Sequence, residues 1–412
     1  MKKLYIIIVV LMAFGVLVWF GQRKKNIAKV YQVEQALWEV QSVDTVKYSR
    51  DVAKEKENDL AFNETIERQV ELISETGATH VSIGTPYDEE FVPFLDRWVK
   101  AARKYGLKVW FRGNFSGWEK WFGYDRITRE QHLQMTSEFI TSHGELFEDG
   151  DIFTACTECE NGGPGDPRLN GDVVGHRKFL IDGHKTADEA FRKIGKGVRT
   201  NYFPMNGDVA ELVMDKATTK ALGGVVVVDH YVSDTNRLLE DIIDLAEKSG
   251  GRVMLGEFGA PIPDIHGEFN DDEQAGWVED AMAGLSSLDV VLGVNYWTSF
   301  GSSTQLWNGD GSARKVVQVL KKYYSPNVFT GYIVDETGRP IAGAKITVND
   351  KIFLSDGKGK FSLITIGNVG EMSIYASGYE SATVEPSEKI VMKKVLPGLW
   401  YDLGKVFHGL FD

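Results

Sequence analysis

Two periodicities alternate along most of the chain. Short apolar runs such as GVVVVDH (224–230) and RVMLGE (252–257) have no polar face. That is the pattern of parallel strands covered on both sides by helices. Between them lie segments with an apolar residue every third or fourth position, the signature of an amphipathic helix. Strands are predicted at 43–49, 78–84, 107–112, 152–158, 198–203, 223–230, 252–257 and 290–297. Helices are predicted at 64–76, 89–105, 128–147, 186–195, 208–221, 235–249, 271–286 and 313–323. Eight strand–helix pairs predict an α/β fold, a (β/α)8 TIM barrel over 43–325. The alternative, a doubly wound open sheet, lacks a G-x-G-x-x-G after its first strand.

The pattern changes at both ends. Leu4 to Phe20 carry no charge, so residues 1–25 are expected to form an N-terminal transmembrane helix, followed by a polar neck over 26–42. No A-x-A-like site follows, which favours an uncleaved signal-anchor. Lys2 and Lys3 precede the segment and Arg23, Lys24 and Lys25 follow it. The positive-inside rule alone would keep the body in the cytoplasm; the character of the body argues for the extracytoplasmic side, at the cell surface or in the periplasm. After Pro326 short alternating strands are separated by the turns TGRP, DGKGK and GNVG, which predicts a small all-β sandwich over 327–395. The tail 396–412 places Leu399, Leu403, Val406, Phe407 and Leu410 on one helical face. It is expected to dock on the body or to lie on a membrane surface.

Net charge adds one exclusion. At −13 the chain is a poor partner for nucleic acid. Cys156 and Cys159 are the two cysteines, too few for a disulfide framework. A zinc site needs further Cys or His ligands at compatible spacing, and none stand nearby. Packing cysteines are the first reading and a local disulfide the second. Neither a metal nor a cofactor is expected.

In a barrel of this kind chemistry sits at the C-terminal ends of the strands. Those ends carry Thr85 and Tyr87 (strand 2), Arg112 and Asn114 (strand 3), Thr157, Glu158 and Glu160 (strand 4) and Asn201, Tyr202 and Asn206 (strand 5). They continue with Asp229, His230 and Tyr231 (strand 6), Glu257 (strand 7) and Asn295, Tyr296 and Trp297 (strand 8). Strands 4 and 7 face each other across the mouth, so Glu158 and Glu257 can form the carboxyl pair of retaining glycoside hydrolysis. Glu160 is the alternative acid. Trp118, Trp121 and Trp307 are candidate sugar platforms. No strand end supplies the lysine of a Schiff-base aldolase, and His230 lacks the partners of a metallohydrolase.

With TEC at 157–159, GEFG at 256–259, His230-Tyr231 after strand 6 and Trp297 in NYWT, the stretch 43–325 resembles the clan A glycoside hydrolases, the cellulase- and mannanase-like barrels. The resemblance implies Glu158 as acid/base and Glu257 as nucleophile, held by Tyr231. It implies Trp297 as the floor under the sugar, and Arg112, Asn114, Thr157, His230, Tyr296, Trp118 and Trp121 as orienting or substrate-binding residues. The expected partner is a β-linked polysaccharide or oligosaccharide. Thr157 departs from the common Asn, which leaves the sugar open. A non-catalytic carbohydrate-binding or scaffold protein on such a barrel is the alternative. The segment 327–395, with Gly331, Val334, Asp335, Gly338, Pro340, Gly343, Ala344, Asp356, Gly359, Phe361 and the run ASGY at 376–379, resembles the carboxypeptidase regulatory-like (prealbumin-like) domain. That implies a folded accessory module without catalysis, common in exported proteins.

Overall fold

The computed structural model describes residues 36–348 and 351–395, in two compact units that divide between Pro326 and Asn327. In the first unit eight parallel strands alternate with helices. They are β1 (Val40–Asp44), β2 (His80–Ile83), β3 (Lys108–Phe111), β4 (Ile152–Phe153), β5 (Pro204–Asn206), β6 (Val225–Asp229), β7 (Arg252–Phe258) and β8 (Val291–Tyr296).

The expected fold needs correction in two respects. The ladder runs β4-β3-β2-β1-β8-β7-β6-β5, so β4 and β5 are its two ends rather than neighbours in a closed ring. Strand β4 is only two residues long, because the chain leaves the sheet at Thr154. The run 198–203 gives no strand, only a bridge from Arg199 to Ile152. Across this seam Phe153 N donates to Arg199 O (2.8 Å) and Arg199 N to Asp151 O (2.9 Å). The second correction concerns the transmembrane helix. Among the described residues no helix is long and apolar enough to cross a membrane. The segment expected to do so, and the tail 396–412, lie outside the described residues, and the transmembrane helix is withdrawn from the fold.

The interior of the first unit is layered. Val40, Trp110, Ile152, Tyr202, Val227, Met254 and Leu292 form one buried cluster. A strand repeats its facing every two residues. Two positions further toward the strand ends stand Ser42, Arg112, Thr154 and Asp229, all buried and all polar. A register shift between Val228 and Asp229 sets Asp229 opposite Glu257, the re-aiming that a β-bulge performs. At the other end of the strands the first and last elements are tied together. Gln41 Nε2 donates to Gly77 O (3.1 Å) and Tyr324 O (2.8 Å). Tyr324 OH donates to Ser42 O (2.9 Å) and Val294 O (3.1 Å).

Strand β1 starts and stops earlier than expected. Asp44 Oδ1 accepts from Val46 N at 2.6 Å, which turns the chain into the short helix Val46–Ser49.

The second unit is all-β, with one sheet ordered β11-β10-β13-β14 and another ordered β12-β9-β15. These strands are β9 (Asn327–Asp335), β10 (Lys345–Val348), β11 (Lys351–Leu354), β12 (Lys360–Thr365), β13 (Met372–Tyr375), β14 (Ala382–Val384) and β15 (Lys389–Met392). Inward positions such as Ile333, Ile346, Phe361, Leu363, Ile374 and Ile390 form its core. The turn after β9 is built by Asp335 Oδ1, which accepts from Thr337 N (2.8 Å) and Arg339 N (2.9 Å). Gly338 takes a φ of 81° there, which a side chain would disfavour.

Candidate active site

Arg112, one residue beyond β3, is the hub of the polar layer. Its side chain is 3% exposed, and a buried guanidinium needs counter-charges. Three strand ends supply them. Nη1 donates to Asp44 Oδ2 (3.0 Å) and Glu257 Oε1 (2.7 Å), and Nη2 to Asp229 Oδ2 (2.8 Å). Burial opposes the charge, but the Asp229, Glu257 and Asp44 carboxylates outweigh it and push the guanidinium pKa further up. Asp44 Oδ2 also accepts from Ser82 Oγ (2.9 Å) and Asn295 Nδ2 (3.3 Å). Burial pushes the Asp229 carboxyl well above the usual range, despite Arg112.

Glu257 is the least buried member of this group, with a side chain 17% exposed. Its second oxygen, Oε2, accepts from Tyr231 OH at 2.9 Å. Burial, then the charge of Glu257, raises the Tyr231 hydroxyl well above its ordinary value, so it stays a donor. The Tyr231 ring meets Trp297 edge to face with centroids 6.1 Å apart. The peptide after Trp297 is cis.

Glu158 sits on a different kind of support. It lies in a tight loop after β4 with a φ of 43°, the left-handed region. Its N–H donates to Pro204 O at 2.9 Å, and Cys156 and Cys159, joined as a disulfide, bracket it. Thr157 Oγ1 donates to Arg112 O at 3.0 Å, pinning this loop to the end of strand 3. Burial first, and the charge of Glu257 second, raise the Glu158 carboxyl to about 7. The two glutamates therefore feel one another but stand in opposite environments: one meets donors on both oxygens, the other is desolvated.

Other residues singled out in the sequence fall elsewhere. Glu160 is buried, and its Oε1 accepts from Asn206 N (2.8 Å) and Nδ2 (3.1 Å). Asn114 is fully buried; its Oδ1 accepts from His132 Nε2 (2.9 Å) and its Nδ2 reaches Thr157 O (3.5 Å). His230 turns away from the carboxylates and bonds Asp241 through Nε2 at 2.9 Å. Tyr296 is buried with its hydroxyl on Thr304 O (2.8 Å). Trp118 is buried against Phe179, rings stacked 4.9 Å apart, and Trp307 is buried against Phe300. Neither offers a face to a sugar. Trp121 remains partly exposed, with the Arg50 guanidinium 5.0 Å from its ring centre.

Four participants were not picked out in the sequence. Asp44 completes the Arg112 cluster. Glu119, after Trp118, has its carboxyl raised to about 8 by burial and by the charge of Glu158. Lys47 and Arg50 stand by Trp297 and Trp121. The chemistry open to the set is proton donation by a desolvated carboxyl and attack by an oriented carboxylate. Among the described residues no group of three His, Cys, Asp or Glu is placed to hold a metal ion.

The fold, compared with solved structures, is shared with a GH5_18 from Bifidobacterium longum subsp. infantis. The identity is 14% and the TM-score 0.51, over 74% of this chain and 87% of that one. Two others are a β-glycosidase, BGL167 (14% identity, TM-score 0.47, 71% of this chain and 96% of that one), and Bacteroides uniformis β-glucuronidase 3 (12%, 0.44, 82% and 47%). The chain spans about half the length of the Bacteroides uniformis β-glucuronidases it matches, 47% and 46% of two of them. At 14% identity the likeness to the GH5_18 shows a fold and nothing of an activity. No protein-family model and no curated protein matches the chain.

Proposed function

We propose that the first unit is a retaining glycoside hydrolase acting on a β-linked oligosaccharide or polysaccharide. The observation that carries the reading is the opposed treatment of two glutamates at the ends of strands 4 and 7. Burial, with the charge of Glu257 second, raises the Glu158 carboxyl to about 7, so it keeps about half of its proton at neutrality, where a general acid works best. Glu257 receives Arg112 Nη1 at 2.7 Å and Tyr231 OH at 2.9 Å on separate oxygens, which aims a carboxylate nucleophile.

In the first step Glu257 attacks the anomeric carbon while Glu158 protonates the departing oxygen. In the second, Glu158 takes a proton from water, and that water displaces Glu257. Trp297 is the floor beneath the sugar, and Trp121 an outer platform. Residues 43–325 are then the catalytic domain and 327–395 an accessory module of carboxypeptidase regulatory-like type.

The test uses the full chain and aryl β-glycosides, with the anomer of the first product read by NMR. The expected result is retention, with kcat lowered by about 10⁴-fold or more in Glu257→Gln and roughly 10²–10⁴-fold in Glu158→Gln. Inversion, or activity surviving Glu257→Gln, sinks the assignment. Binding of sugars without hydrolysis in the wild type would make the barrel a carbohydrate-binding protein instead.

A further inference from the structure

The helix Val46–Ser49 follows directly from β1 and carries a charge pattern that a neutral sugar does not call for. Lys47 lies in this helix and Arg50 caps its C-terminus three residues on. Lys47 Nζ stands 5.6 Å from the centre of the Trp297 ring, and the Arg50 guanidinium 5.0 Å from that of Trp121. Trp297 in turn touches Tyr231, whose hydroxyl is on Glu257. An unbroken line of contacts therefore runs from the Lys47 ammonium to the proposed nucleophile. On the other side the charge of Arg50 reaches both Glu158 and Glu119, where it opposes their burial.

One carboxylate, Asp51, serves both cations: Lys47 Nζ is 2.9 Å from its Oδ2 and Arg50 Nη2 2.9 Å from its Oδ1. The rim at this point has two positive groups to one negative. Both cationic side chains are about a third exposed, at 32% and 30%, so they are available to a ligand. Cation–π contact steadies them beside the rings without neutralising them. In a chain of net charge −13, a positive rim is set against the molecule's general field. It lies beside the two aromatic residues left to receive a sugar.

We propose that Lys47 and Arg50 select a sugar carrying an anionic substituent, a hexuronic acid being the class they fit. A pyranose against Trp297 lies beside an ammonium, and a second cation continues along the rim toward Trp121. The inference rests on the glycosidase reading and names its substrate class.

The test compares 4-nitrophenyl β-D-glucuronide and β-D-galacturonide with the corresponding glucoside and galactoside, and adds the 6-phosphate and 6-sulfate of the glucoside. The full chain is compared with Lys47→Met, Arg50→Gln and, as the charge-keeping control, Lys47→Arg. The expected result is a kcat/KM for a uronide at least ten-fold above its neutral counterpart. That preference should fall by about 10- to 100-fold in Lys47→Met, the size of a lost charge-assisted hydrogen bond, mainly through KM, and largely return in Lys47→Arg. Hydrolysis of neutral glycosides alone, or a preference the variants do not change, overturns the inference and leaves the glycosidase reading standing. Preference for phosphate or sulfate overturns the assignment to a carboxylate. Should nothing be hydrolysed, the glycosidase reading falls, and calorimetry with methyl β-D-glucuronide against methyl β-D-glucoside decides. Tighter binding of the uronide that Lys47→Met abolishes supports charge selection, and equal binding overturns it.

Discussion

At the scale of single residues, the carboxyl of Glu158 costs the fold stability in proportion to how well it serves as an acid. Its pKa is raised to about 7 in the folded protein by burial and by Glu257, from 4.5 for a free glutamate. Between those values the native state holds a proton that the unfolded chain has released, so this group weakens the fold as pH rises through the window. Glu158→Gln, which mimics the protonated form, should melt with the wild type near pH 4.5. It should melt progressively higher toward pH 7 and keep a constant lead above that. Thermal melts at half-unit steps check this, and a lead that does not grow with pH would remove the burial account. Wild-type activity should fall too, with kcat/KM dropping above about pH 7 as the acid loses its proton.

Arg112 makes the complementary case. Arg112→Met leaves Asp44, Asp229 and Glu257 around an apolar stem, and breaking a buried ion cluster in this way costs about 3–5 kcal/mol. Urea titration should show it as a lower midpoint. Glu257, Arg112 and Tyr231 could be proposed from the sequence because each stands at or within two residues of the end of a strand, whereas Glu158 lies five residues past the end of β4, in a loop. His230 was expected at the site too, yet the two-residue period that turns Asp229 inward turns its neighbour out.

Among elements, the short ones were the hardest to read. VDTVKYS alternates like a strand, and the sequence places one at 43–49. The bond from Val46 N to Asp44 Oδ1 makes it a strand end and a helix instead. The shift moved Asp44 into the polar layer and put Lys47 and Arg50 on the rim, so three site residues were lost with one boundary. The loop after β3 misled in the other direction. Its two tryptophans look alike in sequence, but Trp118 stacks on Phe179 of the helix Val173–Lys193, a contact that no local pattern announces. Trp118→Ala should therefore cost about 3–5 kcal/mol of stability, the usual result of emptying a buried aromatic site. Trp121→Ala should leave the melting temperature nearly unchanged and weaken binding of long oligosaccharides. Calorimetric melts and inhibition by oligosaccharides of increasing length separate the two.

On the scale of the molecule, the alternation of strands and helices was plain from hydrophobic periodicity, and so was the change to short strands after Pro326, but the fifth strand was expected at 198–203 and stands at Pro204–Asn206. A closed barrel was expected, and the ladder instead ends at β4 and β5, because pairing there rests on a few hydrogen bonds between β4 and the segment before β5 that leave no trace in composition. The seam has one bridge and a few bonds where other neighbours have ladders. Native-state hydrogen exchange should find the amides of Phe153 and Arg199 opening at lower free energy than those of Val226 and Val227; equal protection would mean that the seam is as firm as the ladders.

The tie between Gln41 and Tyr324 has a mechanical consequence. The chain enters this unit ahead of β1 and leaves it after the helix Val316–Tyr324, at neighbouring points. A pull between residues 36 and 326 would load one corner in a peeling direction. Gln41's bonds would break one after another, while the carboxylates at the opposite ends of the same strands would feel the strain last.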